Sequence, residues 1–503
     1  MSTEAQQNLH GRIGRGVAWS AIDVALTRTG NFALGLVVAR LLVPRDFGIY
    51  AIAVAVHSIV LTMNDLGLSA ALARGDKESA KKEAPTIATL SLISSTALGA
   101  AMVVLAPEFA RWLGDVHATS TMRVMAISLP LAGLSAVPFG MLRRDFRTDI
   151  QFLADVSNLI ATVVVVLILA LSGAGPLALA WSFVAGQVMT TIILIFSPNA
   201  WCWPGWDRRE SLPLLRFSLP LMGANMLNYA IQNVDYIVVG AVAGAVPLGY
   251  YMLAFNISGW PQNLISSVVH SVSVSAFSRL REIGNDMTRT FARALSGVSK
   301  MTLPVCMMIG ALAHPLVITA YGHKWGIASQ ALVALSFMGM ARVLVSLLTD
   351  YLVSLGHTTG IFVVQALWLP SLILALVLAV HHDGIAGAGI AQAGVSWFII
   401  MPAFTFVLSR NGIPAWVVIR SIAPPFLWAA ASAAVAWLVS NQISVAPLAV
   451  LAGGAAGTSM YVIPYLREIR GLIEDQLARR RAKGAAAAML AAEPKLADVA
   501  DVV

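Results

Sequence analysis

Apolar runs long enough to cross a bilayer recur from one end of the chain to the other. A helix needs about 20 residues to span roughly 30 Å of hydrocarbon. Fourteen segments meet that need, at approximately 15–40, 46–72, 84–106, 120–142, 149–172, 175–197, 214–241, 248–273, 290–313, 326–355, 359–381, 385–408, 415–440 and 443–465. Three of them carry interruptions. The first is polar along one side, the eighth holds Trp260–Pro261 in its middle, and the ninth contains Pro304. Membrane helices tolerate such breaks when neighbouring helices satisfy the freed backbone groups. The pattern predicts an all-α polytopic membrane protein.

Composition agrees. Of 503 residues, 58% are hydrophobic and only 12% are charged, and mean hydropathy is +0.77. A soluble domain carries about 25% charged residues. These values exclude a soluble enzyme, a disordered chain and a nucleic-acid binder, despite a net charge of +8. The two cysteines, Cys202 and Cys306, are too few for a disulfide framework or a Cys-based metal site. No G-x-x-x-x-G-K-[ST] stretch is present, so no ATP site is expected, and no cofactor or metal is called for. A cleavable signal peptide is not expected either. Met1 to His10 is polar, and the first apolar segment contains Asp23, Arg28 and Asn31.

The positive charge has a topological explanation. Cytoplasmic loops collect Lys and Arg. Alternate loops hold about 25 of the 33 Lys and Arg residues, counting from Arg12 and Arg15 to the tail beyond Arg467. The opposite loops hold only Arg40, Arg45, Arg111, Arg123 and Lys324. An alternation sustained over the whole chain predicts an even number of spans with both termini cytoplasmic. Arg28, Lys300 and Arg342 are left over, inside spans.

The chain also repeats itself with a period of about 201–208 residues. Phe47-Gly48-Ile49-Tyr50 opens the second span and Leu248-Gly249-Tyr250-Tyr251 the eighth, each after a turn containing a proline, Pro44 or Pro247. Leu105-Ala106-Pro107, closed by Gly114, corresponds to Leu312-Ala313-His314-Pro315, closed by Gly322. Six spans separate equivalent points, so the halves share one orientation. The expected organisation is a cytoplasmic N-terminus (1–14), an N-lobe of six spans (15–197) and an inter-lobe loop (198–213). A C-lobe of six spans (214–408), two extra helices (415–465) and a cytoplasmic tail (466–503) complete it. Two parallel six-helix bundles around a central midplane cavity suit alternating access.

The chain resembles a known family in Ala39-Arg40-Leu41-Leu42-Val43-Pro44-Arg45-Asp46-Phe47-Gly48-Ile49-Tyr50-Ala51, in Asp65-Leu66-Gly67-Leu68-Ser69-Ala70-Ala71-Leu72 and in Met141-Leu142-Arg143-Arg144-Asp145-Phe146-Arg147. The second half adds Ser218-Leu219-Pro220, Asp235-Tyr236-Ile237-Val238-Val239-Gly240 and Leu248-Gly249-Tyr250-Tyr251. These look like the Wzx-type oligosaccharide flippases, the polysaccharide transporter branch of the multidrug/oligosaccharidyl-lipid/polysaccharide exporter superfamily. The resemblance implies a bacterial inner-membrane protein with two six-helix bundles and two additional helices. It implies movement of a polyprenyl-diphosphate-linked oligosaccharide from the inner to the outer leaflet, for O-antigen, capsule or exopolysaccharide synthesis. Membrane lipids, a glycan polymerase and chain-length machinery are the partners it suggests, and no nucleic acid.

Polar residues inside spans are functional candidates, because a mid-membrane charge costs at least about 2.5–3.5 kcal/mol. Asp23, Thr27 and Asn31 stack at i, i+4, i+8 on the first span, with Arg28 beside them. Arg28, Arg342 and Lys300 are candidates for the diphosphate, since a guanidinium can bind two oxygens at once. A long Lys300 side chain could instead reach the cytoplasmic surface. Asn225, Asn228, Gln232 and Asp235 share an arc of about 80° on the seventh span. Asn256, Asn263, Ser266 and His270 line one side of the eighth. Together with Asn31, the Asn and Gln residues suit sugar hydroxyls, offering donors and acceptors. They equally suit hydrogen bonds between helices. Asp23, Asp65, Asp235 and Asp350 are candidates for ion or proton coupling, or, for Asp235, for pairing with a cation. His57 and Asn64 share a face of the second span; a membrane histidine either titrates or packs as a hydrogen-bonding residue.

Two other functions share this hydropathy but fit the residues less well. An exporter of cationic drugs would need an acidic or aromatic cavity, whereas the mid-span groups include two arginines and a lysine. A membrane glycan polymerase or ligase would carry a long outer loop with reactive side chains, and the longest here, around Pro107 to Thr119, lacks them.

Overall fold

The computed structural model describes residues 23–64, 72, 77–198, 202–262 and 287–465, less residues 25 and 146. Their regular structure is helical throughout. Among the described residues fourteen principal helices follow in order, with a short helix, Ala313–Tyr321, between the ninth and tenth. The first six are α1 (23–41), α2 (Pro44–Asn64), α3 (Lys77–Trp112), α4 (Ala118–Arg144), α5 (Thr148–Leu171) and α6 (Pro176–Ile195). Then come α7 (Arg208–Ala243), α8 (Ala245–Ser258), α9 (Met287–Ala311) and α10 (Ala328–Ser354). A helical stretch that begins at Thr358 breaks at Asp383 and Gly384, where φ reaches 55° at the glycine. The break separates α11 (358–382) from α12 (385–410). The last two are α13 (Ala415–Asn441) and α14 (Ala446–Val462). Among the described residues, ten helical stretches are long and apolar enough to cross a membrane.

Local chemistry sets several of these boundaries. Pro44 and Pro176 sit at the first helical positions of α2 and α6, where their missing N–H costs nothing. Gly114 and Gly322 stop the chain after α3 and after a short helix, Ala313–Tyr321, with φ of 94° and 96°. Their positive φ falls at equivalent points of the two halves, as the repeat predicts. The halves differ just before it. The third span was expected to end near residue 106, yet α3 runs through Pro107 to Trp112. In the second half the helix breaks at Leu312 and restarts as Ala313–Tyr321.

Packing follows the two-lobe plan. α4 packs on both α3 and α6, α5 packs on α6, and α2 lies against all of them but α5. In the other lobe α10 packs against α8, α9 and the α11–α12 pair, and α7 packs against that pair too. α10 is the central helix, with 72% of its apolar window buried, against 11% for α5. The face of α5 carrying Leu153, Ile160, Val164 and Ile168 is exposed, as a lipid-facing surface must be. The lobes meet where α2 packs on α7 and α8. α13 lies outside both, against α9, and α14 packs on α13 and the short helix.

Candidate functional site

Polar groups inside the spans gather in two places, one in each lobe. In the C-lobe they centre on Asp235 of α7, which is fully buried. Its carboxylate accepts hydrogen bonds from the Tyr251 hydroxyl of α8 (2.9 Å), the Tyr236 backbone N–H (3.0 Å) and Gln392 Nε2 of α12 (3.2 Å). Arg342 of α10 is close enough for its charge to act on Asp235, and its guanidinium lies 5.0 Å from the centre of the Phe255 ring. The nearby cation is thus in the same lobe as Asp235, not across the cavity as the sequence suggests. A buried charge needs such a counter-charge and donors around it. Gln392, whose Oε1 is buried without a donor among the described residues, was not anticipated. It stands as a lone amide in an apolar helix, with no periodic companions to mark it.

The N-lobe cluster centres on α1. Asp23 meets Asp155 of α5 within hydrogen-bond reach. Two carboxyls this close need a proton or a cation between them. Arg28 is half-buried, and its Nη1 is buried with no hydrogen-bond partner among the described residues. Thr27 donates back to the carbonyl of Asp23 at 2.6 Å. Below them lies a cavity of about 350 Å³, lined by Asn31, Tyr50, Asn158, Thr162, Ser182 and Gln187 among others. Asp155, Asn158 and Thr162 fall at i, i+3, i+7 on α5. That stripe is visible in the sequence, but it sits within a span whose apolar residues dominate its pattern.

The remaining candidates divide. Gln232 donates to Asn228 at 2.8 Å, and both are exposed on α7, as Asn256 is on α8. Asp350 is buried in α10. His57 bonds the Ser128 hydroxyl at 2.7 Å and meets the Phe183 ring edge-on, so it packs as a structural residue. Lys300 does not join Arg28 or Arg342. It lies between α9, α13 and α14, with its ammonium 5.1 Å over the Tyr465 ring. Asp65, Asn263, Ser266 and His270 fall outside the described residues, as do the side chains of Asn64 and Asn225.

One end of the lobe interface is closed by a seam of backbone contacts. Arg40 donates to the carbonyls of Thr319 and Ala320, and Lys324 donates back to those of Arg40 and Leu42. The fully buried Trp325 gives its indole N–H to Ala39 at 2.7 Å and packs edge-on against Phe47 and Tyr250. Burial lowers the pKa of Lys324 against the opposing pull of Asp46. Arg45 and His117 both bind Asp115 beside this seam.

The model of the polysaccharide biosynthesis protein family matches residues 37–330. The chain belongs to that family. A full-length relative is the succinoglycan biosynthesis transport protein ExoT of Rhizobium meliloti (strain 1021), 26% identical over 94% of this chain and 96% of its own. The lipopolysaccharide biosynthesis protein WzxC of Escherichia coli (strain K12) is 21% identical over 65% of this chain and 67% of its own. Among solved structures, an inward closed lipid II flippase MurJ aligns over 88% of this chain and 100% of its own, with a TM-score of 0.73 at 15% identity. An inward-facing MATE-family transporter of the MOP superfamily aligns over 83% and 98%, with a TM-score of 0.59 at 16% identity. The chain is therefore a multi-pass membrane protein of the polysaccharide biosynthesis protein family, with a MurJ- and MATE-like fold.

Proposed function

We propose that the protein is a flippase that carries a polyprenyl-diphosphate-linked oligosaccharide from the inner to the outer leaflet of a bacterial cytoplasmic membrane, with both termini cytoplasmic. The observation that carries this reading is Arg28, a permanent cation on α1 whose Nη1 is buried without a protein partner among the described residues. A buried unsatisfied donor of that kind calls for a ligand or an ordered water. A diphosphate can take both arms of the guanidinium fork. Arg342 already shares its charge with Asp235, so Arg28 leads the diphosphate site and Arg342 has the lesser part. Exposed Asn31, Asn228, Gln232 and Asn256 supply amides for the sugar. The Asp23–Asp155 pair and the Asp235 cluster are the groups able to couple movement to an ion gradient. The parallel halves support alternating access, with one lobe rocking against the other. Relatives named for succinoglycan transport and lipopolysaccharide synthesis support the substrate class.

The test replaces the chromosomal gene with Arg28→Ala and Arg28→Lys variants. Surface glycan should fall about tenfold or more in the first and partly recover in the second, with membrane protein levels unchanged. Normal export by Arg28→Ala overturns the reading.

A further inference from the structure

A large groove lies outside the lobe interface. It encloses about 1020 Å³ between α9, α13 and α14. Arg289, Arg293 and Lys300 line it from α9 and Arg420 from α13. At 100° per residue, Arg289, Arg293 and Lys300 fall within an arc of about 40° on one helix face and span about 16 Å along the axis. The opposite wall is aromatic. Trp416 stands near the start of α13, and Tyr461 and Tyr465 stand at the end of α14. Tyr461 donates its hydroxyl to the Lys300 carbonyl at 2.9 Å, which fixes that wall against α9. Gly297 leaves open space at the groove floor, with no atom within 4 Å of where its Cβ would lie.

We infer that this groove is a binding site for an anionic phospholipid of the inner leaflet, its phosphate held by Arg293 and Arg420 and its acyl chain running past Lys300 along Met301. Three observations carry the inference. Four cations line one concave surface. Trp and Tyr, the residues that favour the membrane–water boundary, stand among them. The lining also includes apolar side chains, among them Ala292, Met301 and Val462. Basic pockets between transmembrane helices recognise anionic headgroups on this physical basis, and arginine is suited to phosphate oxygens. The site lies apart from Arg28 and the lobe interface, between α9 of the C-lobe and the two helices that fall outside the repeat. It would couple the lipid environment to α9 of the C-lobe. Assignment to the inner leaflet rests on the orientation proposed above, whereas binding does not.

Native mass spectrometry of the detergent-purified full chain tests the inference, with phosphatidylglycerol and phosphatidylethanolamine titrated separately. The wild type should bind phosphatidylglycerol at least about tenfold more tightly than phosphatidylethanolamine. The Arg293→Gln/Arg420→Gln variant should lose that preference, and Arg28→Ala should keep it. Gly297→Phe, which fills the groove and leaves every charge in place, should also lose it, so a folding failure of the charge variant leaves the test intact. Equal preference in the wild type and both groove variants overturns the proposal. So does displacement of the bound lipid by glycan-free polyprenyl diphosphate in the wild type, which would assign the groove to the transported carrier. Loss of export in Arg28→Ala with groove binding retained separates this site from the flippase reading.

Discussion

Gly48 and Gly249 face each other across the lobe interface, 201 residues apart in sequence and reciprocal in structure. A Cβ on Gly48 would land on the carbonyl oxygen of Ala245, and a Cβ on Gly249 on that of Pro44. The built Cβ of Gly249 lies 3.0 Å from the backbone nitrogen of Gly48 itself. The starts of α2 and α8 therefore cross backbone to backbone, as small residues allow in membranes. This contact, with the seam at Arg40, Lys324 and Trp325, closes one end of the interface.

Gly48→Val and Gly249→Val should each prevent that closure. Backbone carbonyls cannot yield as a flexible side chain would, so overpacking should cost about 1–3 kcal/mol in the closed state. Export should fall while the protein stays in the membrane. Cysteines placed at Arg40 and Thr319 should cross-link efficiently in the wild type and poorly in the valine variants. Equal cross-linking would show that the crossing is not required to close this end.

Asp115 gives the seam a pH dependence. Partial burial works to raise its pKa, but hydrogen bonds from the His117 backbone and ring and from Arg45 outweigh burial and hold it below the usual carboxylate value. A carboxyl depressed in the folded state stabilises above its unfolded pKa of about 3.9, and that stability is lost as pH falls through the folded value. The Arg45 side chain is half exposed, so the pair contributes at most about 1 kcal/mol. The melting temperature should drop between pH 5 and pH 3, by about 1–3 °C more in wild type than in Asp115→Asn. Parallel curves for the two proteins would remove the role assigned to this carboxyl.

Orientation is checked by reporter fusions. Lys81 and Lys82 lie in the second turn of α3, and Arg410 ends α12. Fusions after Lys82 and after Arg410 should both read cytoplasmic, because both places carry the basic residues that remain inside. A periplasmic signal from either one would contradict the proposed topology.

Much of the fold was legible because hydropathy in a membrane chain is nearly a direct readout of helix position. The break between α11 and α12 falls at Asp383–Gly384, within the gap expected between residues 381 and 385. The repeat was legible because Gly48, Gly249, Gly114 and Gly322 each occupy a backbone position that tolerates little else. The site was read less well. Depth and phase show that a residue is polar and mid-membrane, but not which helix stands opposite. Lys300 has the same depth signature as a cavity cation, yet α13 and α14 cover that side of α9. Those two helices lie outside the repeat, so nothing in its symmetry indicates where they pack. Asp235 and Arg342 were both recognisable as costly charges. Their pairing depends on the approach of α7 to α10, a relation between residues 107 positions apart that no local pattern encodes.

That pairing permits a test that separates structure from transport. Asp235→Leu removes the acceptor of the Tyr251 and Gln392 hydrogen bonds and leaves those donors buried and unsatisfied, which should destabilise the fold by about 1–3 kcal/mol for each. Asp235→Asn keeps the shape and most of the hydrogen bonds, so the melting temperature should move far less. If the carboxylate takes part in coupling, Asp235→Asn should still lose export. Combining it with Arg342→Gln then discriminates the causes. Two neutral partners restore charge balance, so the double variant should recover stability beyond the sum of the single losses. Export should stay lost, because charge balance restores the packing without restoring an ionisable group. Export that returns together with stability in the double variant would make the pair purely structural and leave Asp23 and Asp155 as the coupling groups to examine.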